Sequence, residues 1–334
     1  MRFKGKKVLV TGGAGFVGSN LVAKLVDEGA IVTVLDDLFT GALSNIKSLR
    51  NTNFVEGSVT EYNLIEDLVQ NVEVVFNLAA RNIIVSTQKP REDFNVNVGG
   101  MLNILLAAKK YGIEKIVYTS SASVYGNSHY IPVNEDDHLH ILNPYAASKL
   151  AAENYCMAFY ESYDVPVTIL RYSNVYGINQ LPTNPYCGVI SKFLNSVLNN
   201  IPPQIHGDGE QTRDYTFVDD TVEATMLAAL SPKVVGEVLN VGTGKEISVK
   251  SLVNTILEIS GKNIMPVFID RRDIDNIRRR VLNIEKVRKS LKWIPTTTLE
   301  TGLKKTYDWL LLKDSRYQKE LDFKIYSAAS TKIS

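Results

Sequence analysis

Two residues of the chain, Tyr145 and Lys149, have types and a spacing that suit acid–base chemistry. They stand four positions apart in the run Tyr145-Ala146-Ala147-Ser148-Lys149, and in a helix this spacing puts both side chains on one face. An ammonium group beside the phenol would lower the tyrosine pKa from its ordinary value of about 10. The phenol could then exchange a proton near neutral pH, although such a pair alone is more often found on an ordinary surface.

A second group of hydroxyl side chains lies upstream, in the segment 119–126 that follows a predicted strand. This segment reads Thr-Ser-Ser-Ala-Ser-Val-Tyr-Gly, so that Ser121 and Ser123 stand where the sheet should end. Ligands of parallel sheets bind at the carboxyl ends of the strands, so these hydroxyls are placed to meet one.

A glycine-rich loop at residues 11–18 connects a short apolar strand to an amphipathic helix. Gly12 suits a tight turn, Gly15 allows the backbone to approach a pyrophosphate, and Gly18 allows the helix to pack close to the strand. Phe16 and Val17 begin the helix, whose free N–H groups favour a bound phosphate. The pattern predicts a dinucleotide site.

Asp36 makes this prediction more specific, because it ends the second strand about 20 residues after the loop. A carboxylate at this point binds the ribose hydroxyls of an adenosine. A 2′-phosphate would meet Asp36 and Asp37 with no arginine expected beside them, so the sequence favours NAD over NADP. A bound nicotinamide cation would lower the pKa of Tyr145 further.

Strands and helices must alternate along the chain to position these residues. Short apolar runs predict strands, and runs with apolar residues at helical spacing predict helices. The predicted strands are 7–10, 31–35, 72–78, 115–118, 165–171 and 238–241, and the predicted helices are 16–28, 93–111, 145–163, 189–199, 249–259 and 300–312. We therefore expect an α/β fold with a doubly wound, Rossmann-type parallel sheet and a smaller C-terminal α/β lobe for the substrate.

The loss of regular alternation after Tyr176 suggests where the domains divide. We expect an NAD-binding domain at 1–176, to which a segment at about 214–242 returns. The substrate lobe would comprise 177–213 and 243–314, and residues 315–334 would form a polar tail.

The net charge and the lengths of the apolar stretches limit which partners are expected. The chain of 334 residues has a net charge of +1, so no overall field attracts nucleic acid or an anionic membrane. No apolar stretch approaches the roughly 20 residues that span a bilayer, and we expect a cytoplasmic protein. Cys156 and Cys187 have no metal-ligand spacing, His138 and His140 are expected to be solvated, and no metal site is predicted.

The glycine loop and the Tyr-x-x-x-Lys pair together resemble the extended short-chain dehydrogenase/reductase family, also called the NAD-dependent epimerase/dehydratase family. The resemblance extends from Lys7 to about Leu312, and its motifs occur in the family's order. They are the loop 11–18, Asp36, the Asn-Leu-Ala-Ala segment 77–80, the Ser-rich segment, Tyr145 with Lys149, Arg-Tyr-Ser-Asn-Val-Tyr-Gly at 171–177 and Gly-Asp-Gly-Glu-Gln-Thr-Arg-Asp-Tyr at 207–215.

This resemblance implies roles for the catalytic and cofactor residues. Ser121 would hydrogen-bond the reacting sugar hydroxyl while Tyr145 exchanges its proton, and Lys149 would hold the nicotinamide ribose. Ser123 would also contact the substrate. The cofactor would pass close to the backbone at Leu78, Ala79 and Ala80, and Asn97 would support the site from its helix.

The resemblance also implies a nucleoside-diphosphate sugar as substrate. Asn174 would touch the diphosphate, and Arg213 would clamp it with one arginine of the triplet 278–280, for which Arg280 is preferred. Each arginine of the triplet could equally belong to a solvated basic surface.

The residues beside Ser121 discriminate among the reactions of the family. Members resembling 4,6-dehydratases carry an Asp-Glu pair there, decarboxylase-like members a glutamate, and 3,5-epimerases or fucose synthases a cysteine. This chain has Ala122 and Ser123. The resemblance therefore implies a 4-epimerase that oxidises C4 of the sugar and reduces it from the other face.

Three departures from the family pattern are visible. Ser58 replaces an aspartate near the adenine, and Ser173 replaces a phenylalanine beside the nicotinamide. Arg81 follows the Asn-Leu-Ala-Ala segment in a loop expected to face the sugar, where it could pair with a uronate or be a charge at the rim.

Two other functions remain open. The chain could be a dehydrogenase or reductase of the same family that releases reduced cofactor, or a non-catalytic NAD-binding assembly protein. The family commonly forms homodimers through the helices at 97–111 and 145–163, and we expect a homodimer here.

Overall fold

The computed structural model describes residues 1–182, 184, 188–271 and 277–313. Cys187 and the predicted polar tail lie outside the described residues. The strands are β1 Lys7–Thr11, β2 Ile31–Asp36, β3 Thr52–Glu56, β4 Val74–Asn77, β5 Lys115–Ser121, β6 Val167–Tyr172, β7 Asn174–Tyr176, β8 Gln204–His206, β9 Thr212–Arg213, β10 Tyr215–Phe217, β11 Val238–Val241, β12 Ile247–Ser248 and β13 Val267–Ile269.

The helices occur mainly between consecutive strands. They are α1 Phe16–Asp27, α2 Tyr62–Val69, α3 Ile83–Gln88, α4 Pro90–Asp93, α5 Gly100–Tyr111, α6 Pro144–Tyr163, α7 Val189–Leu198, α8 Val218–Leu230, α9 Val249–Ser260, α10 Glu285–Leu291 and α11 at 299–313. Short 3₁₀ turns occupy Leu43–Asn45, Ala122–Tyr125 and Pro232–Val234, and a π-helical segment occupies Phe94–Gly99.

The central sheet has seven parallel strands in the order β11-β6-β5-β4-β1-β2-β3. The chain starts at β1 in the middle of the sheet, builds outward through β2 and β3, and then returns to build the other half from β4. Strand order therefore reverses between β1 and β4, and ligands bind at such a reversal in doubly wound sheets. The expected fold class is confirmed.

Two apolar layers cover the faces of this sheet. Val8 and Val10 of β1 belong to one buried cluster and Leu9 to the other, so the strand is buried on both faces. A strand buried in this way reads as an uninterrupted apolar run, which is why its sequence identified it.

Several elements differ from the sequence prediction. β3, α2, α3, α8 and α10 were not predicted, nor were the short strands that pair outside the central sheet. The helix predicted over 93–111 is helical throughout, but its first part is the π-helical segment, between α4 and α5. Such wider turns occur often at functional sites, and this one carries Asn97.

The C-terminal part of the chain adds β11 to the central sheet and three two-stranded sheets beside it. β7 pairs with β10, β9 with β12, and β8 with β13. The buried Asp214 connects two of these parts, because its carboxylate accepts hydrogen bonds from the backbone N–H groups of Thr243 at 2.8 Å and Gly244 at 3.0 Å. This holds the bend between β9 and β10, where Arg213 lies. The division into two domains stays a prediction.

Candidate active site

The glycine loop lies at the carboxyl end of β1, where strand order reverses. Gly12 has a φ of +69°, and a Cβ there would be 2.8 Å from the backbone nitrogen of Ala79. A Cβ on Gly18 would overlap the carbonyl oxygen of Gly12, so α1 can approach the loop only if this residue is glycine. The expected reasons for glycine at both positions agree with this geometry.

A cleft of about 700 Å³, open to solvent, runs along this loop. Its lining includes most of the residues that the sequence assigned to the cofactor: Gly12, Gly15, Phe16, Val17, Gly18, Asp36, Leu78, Ala79 and Ala80. Ser58 also lines it, in place of the expected aspartate. The N-terminus of α1 lines the cleft, as binding of a dinucleotide phosphate requires.

Asp36 is buried at the end of β2 and orders the wall of this cleft. Its carboxylate accepts the N–H of Ala14 at 2.9 Å and the N–H of Leu38 at 2.8 Å. Burial raises the pKa of Asp36, and these hydrogen bonds oppose that shift. Backbone N–H groups on the wall of the cleft therefore hold the Asp36 carboxylate in place.

One sequence argument about this cleft is wrong. Arg81 lies beside Asp37, with its Nη2 atom 2.7 Å from the carboxylate, although no arginine was expected there. Arg81 also contacts Glu92 through Nε at 2.8 Å, so its charge is matched by two carboxylates. The loop that carries it faces the cofactor cleft, and the structure gives no support to pairing with an acidic sugar.

Tyr145 and Lys149 lie on one face of α6, as their spacing predicts. The Nζ atom of Lys149 is 5.9 Å from the centroid of the Tyr145 ring and donates a hydrogen bond of 2.8 Å to the carbonyl oxygen of Thr119. Helix α6 begins at the capping residue Asn143, whose side chain accepts the N–H of Ala146 at 2.9 Å. The pair is therefore fixed between α6 and the end of β5.

The tyrosine pKa moves in the direction opposite to the sequence expectation. Burial raises the pKa of Tyr145 to about 12, while the Ser121 hydroxyl lowers it, the Asp93 charge raises it and the Arg280 charge lowers it. Burial likewise lowers the pKa of Lys149 to about 8, a shift that the charges of Asp93 and Glu153 oppose. Without a further positive charge, Tyr145 is a poor base at neutral pH.

The hydroxyl residues at the end of β5 adopt a defined arrangement. Ser121 ends the strand and donates to the Ser123 hydroxyl at 3.0 Å, and its own oxygen accepts the Ser123 N–H at 3.1 Å. Ala122, between them, is buried. The positions next to Ser121 thus hold a methyl group and a neutral hydroxyl.

Asn97 supports the site from the π-helical segment, through contacts that the sequence could not show. Its amide donates to the Asp93 carboxylate at 2.6 Å and to the Ser148 hydroxyl at 2.9 Å, and its oxygen accepts the N–H of Arg81 at 2.8 Å. Asp93 was missed by the sequence analysis. The only signal would have been its position four residues before Asn97.

A buried ion pair lies below the catalytic residues. Arg171 of β6 contacts Glu153 of α6 at 2.7 Å, and its Nη1 atom donates to the Tyr125 hydroxyl at 2.9 Å. Glu153 also accepts a hydrogen bond from Ser120. These contacts connect α6 to two adjacent strands and so fix the position of the helix.

The residues assigned to the diphosphate are brought together around Tyr215. The parallel pairing of β7 and β10 puts Asn174 opposite Tyr215, and the charges of Arg213 and Arg280 both act on the Tyr215 phenol, whose pKa burial raises to about 12. Arg213 also donates to the carbonyl oxygen of Ile277 at 2.8 Å. Arg280 is buried and Arg213 is partly exposed, and two guanidinium groups whose charges act on one phenol suit a diphosphate.

The three arginines of the triplet have different environments. Arg278 and Arg279 are exposed and form surface ion pairs with Asp208 at 2.8 Å and Glu246 at 2.7 Å. Arg280 is buried, with 6% of its surface exposed, and its charge reaches Tyr145. This geometry favours Arg280 as the ligand among the three.

Among the described residues, no group of three or more His, Cys, Asp or Glu side chains is arranged to hold a metal ion. None of the described helices is long and apolar enough to cross a membrane.

The residues present fit NAD. Gly12 and Gly18 leave room that a side chain would fill, and the loop between them can therefore hold a pyrophosphate. The carboxylate of Asp36 lines the same cleft. A bound nicotinamide cation near Tyr145 would supply the positive charge that this phenol lacks.

Comparison with known proteins shows the family of the chain. Residues 8–242 match the model of the NAD dependent epimerase/dehydratase family. The chain is 40% identical to a putative UDP-glucose 4-epimerase of Methanocaldococcus jannaschii, over 91% of this chain and 98% of that one. It is 34% identical to a UDP-N-acetyl-alpha-D-glucosaminuronate decarboxylase of Bacillus cytotoxicus, over 91% and 97%. A crystal structure of UDP-glucose 4-epimerase from Thermotoga maritima with UDP-glucose superimposes with a TM-score of 0.88 at 36% identity, covering 92% of this chain and 99% of that one.

Proposed function

The chain belongs to the NAD-dependent epimerase/dehydratase family, and we propose that its reaction within this family is the 4-epimerisation of a nucleoside-diphosphate sugar. Proteins similar to it include both epimerases and a decarboxylase, so the choice rests on the site itself.

The observation that carries the proposal is the arrangement at the end of β5. Ser121 is followed by the buried Ala122 and by Ser123, whose hydroxyl is hydrogen-bonded to Ser121. A dehydratase of this family needs acidic groups at these positions to protonate and expel water, and a decarboxylase-like member carries a glutamate there. The chain retains what a C4 oxidation and reduction needs.

The proposed roles follow from this arrangement. Tyr145 takes the proton of the C4 hydroxyl and later returns it to the same oxygen, while Ser121 holds that oxygen by a hydrogen bond. Lys149 orients the nicotinamide ribose from α6. Bound NAD would supply a reversible acceptor for the C4 hydride.

The diphosphate is the part of the substrate that stays fixed. We propose that Asn174, Arg213 and Arg280 bind it, because strand pairing and the shared Tyr215 bring them together. A sugar anchored only by its diphosphate can turn over, so that the hydride returns to the opposite face.

The test is to incubate the purified protein, without added cofactor, with UDP-glucose, UDP-N-acetylglucosamine, UDP-glucuronic acid and dTDP-glucose in turn. Product NMR should show the C4 epimer of at least one of them, with no lasting increase in the absorbance of reduced nicotinamide. A lasting increase would instead identify a dehydrogenase. Loss of water or of carbon dioxide from the sugar would refute the proposal.

A matched pair of variants tests the mechanism. Tyr145→Phe should lower kcat by a factor of about 10² or more, the usual contribution of a positioned acid–base group. Tyr163→Phe removes an exposed phenol at the C-terminal end of the same helix and should leave kcat unchanged. Equal activity of the two variants would refute the role of Tyr145, and inactivity of the wild type with every sugar would favour a non-catalytic protein.

We also propose that the protein is a homodimer. Helices α5 and α6 are in contact and present exposed apolar side chains, among them Leu106 and Tyr155. These side chains could form the face that a second copy covers.

A further inference from the structure

Arg81 lies across the cofactor cleft and joins three segments of the chain. Its Nη2 atom is 2.7 Å from the carboxylate of Asp37, its Nε atom is 2.8 Å from that of Glu92, and its guanidinium carbon is 4.1 Å from the centroid of the Phe39 ring. Only 11% of its side chain is exposed. An arginine can make all three contacts because its planar group donates in two directions and stacks with its face.

These partners stand on different sides of the cleft. Asp37 directly follows Asp36 at the end of β2, and Phe39 lies in the loop beyond it, whereas Arg81 follows β4 and Glu92 belongs to α4. The Arg81 side chain therefore connects the loop after β2 with the segment after β4, and these two segments form opposite sides of the cleft.

Arg81 is also a wall between two spaces. It lines the cofactor cleft, and it lines a second, more open cleft beside it together with Ser58, Lys89 and Glu92. Rotation of the Arg81 side chain would join the two spaces and open the side of the cofactor cleft where Asp36 and Ser58 lie.

Two ion pairs hold the side chain in this place, one from each direction of its guanidinium group. Burial acts against the charge of Arg81, but the hydrogen bonds to Asp37 and Glu92 outweigh burial and raise the pKa of Arg81 above its ordinary value. Both bonds are charge-assisted, and such bonds are stronger than neutral ones. The Nη2 and Nε atoms of Arg81 therefore both contact carboxylates of the protein itself.

We propose that Arg81 is a strap that closes the adenosine part of the cleft and slows the dissociation of NAD. The proposal rests on cofactor binding, which the family establishes, and not on the proposed epimerisation, so that the two can fail separately. In this role Arg81 is a positioning residue, since it acts on the cofactor through the loop that it fastens.

The experiment measures the dissociation rate of NAD from the holoprotein. NAD-loaded wild type, Arg81→Ala and Arg91→Ala are diluted into an enzyme system that consumes free NAD, and the remaining protein-bound NAD is followed over time. Arg91 is the matched control, because it is an exposed arginine on α4 that lines only the second cleft. We expect dissociation from Arg81→Ala to be about tenfold faster than from the other two proteins, equivalent to about 1.4 kcal/mol.

Two further measurements distinguish a strap from other roles. The association rate of NAD should stay near that of the wild type in Arg81→Ala, whereas a large increase would mean that Arg81 obstructs entry and would overturn the proposal. Glu92→Gln should also speed dissociation in the wild type but add nothing in the Arg81→Ala background. A lower Tm of Arg81→Ala with an unchanged dissociation rate would show a merely structural role and would equally overturn it.

Discussion

Replacement of Lys149 by methionine should stabilise the NAD-free protein at neutral pH, although it should remove activity. Lys149 is 3% exposed, and burial lowers its pKa to about 8 from the ordinary 10.5. This difference between the pKa values of the folded and unfolded chains means that the charged lysine lowers the free energy of unfolding by about 3 kcal/mol. That figure already includes the attraction of Asp93 and Glu153, which act on the same group.

The pH dependence has a definite sign. Between pH 8 and 10.5 the unfolded chain holds a proton on this lysine and the folded chain does not, so the stability of the wild type rises with pH in this interval. The variant loses the hydrogen bond from Lys149 to the carbonyl oxygen of Thr119, worth about 1 kcal/mol. Lys149→Met should therefore be more stable than the wild type by about 2 kcal/mol at pH 7 and slightly less stable above pH 10.

Urea unfolding of the NAD-free proteins at pH 7 and at pH 10 measures how far this stability difference falls as the lysine loses its proton. Lys47→Met is the control, because Lys47 is exposed, and its difference from the wild type should be small at both pH values. If Lys149→Met were less stable than the wild type at pH 7, or if its difference did not change with pH, the account of a charge buried for catalysis would be wrong.

Three further predictions test other parts of the site. Gly18→Ala should weaken NAD binding at least about tenfold in a fluorescence titration, because its Cβ would push α1 away from Gly12, and undiminished binding would contradict the close fit. Arg213→Ala should raise the KM for the nucleotide sugar by about tenfold or more with a smaller effect on kcat, since it loses a charged hydrogen bond to the diphosphate; steady-state kinetics that show only a lower kcat would exclude this role. Leu106→Glu should elute as a monomer in size-exclusion chromatography with light scattering where the wild type elutes as a dimer, and a dimeric variant would exclude this face.

The sequence predicted the elements whose environment is uniform. β1 and β2 are buried on both faces and therefore read as apolar runs. The loop between them was predicted because the steric reasons that require glycine there act between residues that are close in sequence. β3 was missed because it is an edge strand whose residues are partly exposed, so that neither an apolar run nor clear alternation marks it. The π-helical segment was missed because its apolar spacing still resembles that of an α-helix.

Contacts between distant segments could not be predicted from the sequence. Arg81 and Asp37 are 44 positions apart, and nothing in either neighbourhood indicates that they meet. Within the triplet 278–280, Arg280 was preferred through the family resemblance, and the physical reason appears only in the fold, which buries Arg280 and leaves the other two arginines at the surface. In the same way, the spacing of Tyr145 and Lys149 located the pair but not the burial that raises one pKa and lowers the other.

Asn97 relates the cofactor cleft to the catalytic helix. Its side chain accepts the backbone N–H of Arg81 at 2.8 Å and donates to the backbone carbonyl of the same residue at 3.2 Å, so it holds the segment that carries the strap. Its amide also donates to Ser148 on α6, and the Ser148 hydroxyl donates to the carbonyl oxygen of Tyr145 at 3.0 Å. One side chain on the π-helical segment thus fixes both the loop over NAD and the first turn of the catalytic helix. In the proposed mechanism a bound nicotinamide would supply the positive charge that lowers the pKa of Tyr145, so a fold that connects these two parts would make proton transfer depend on a correctly held cofactor.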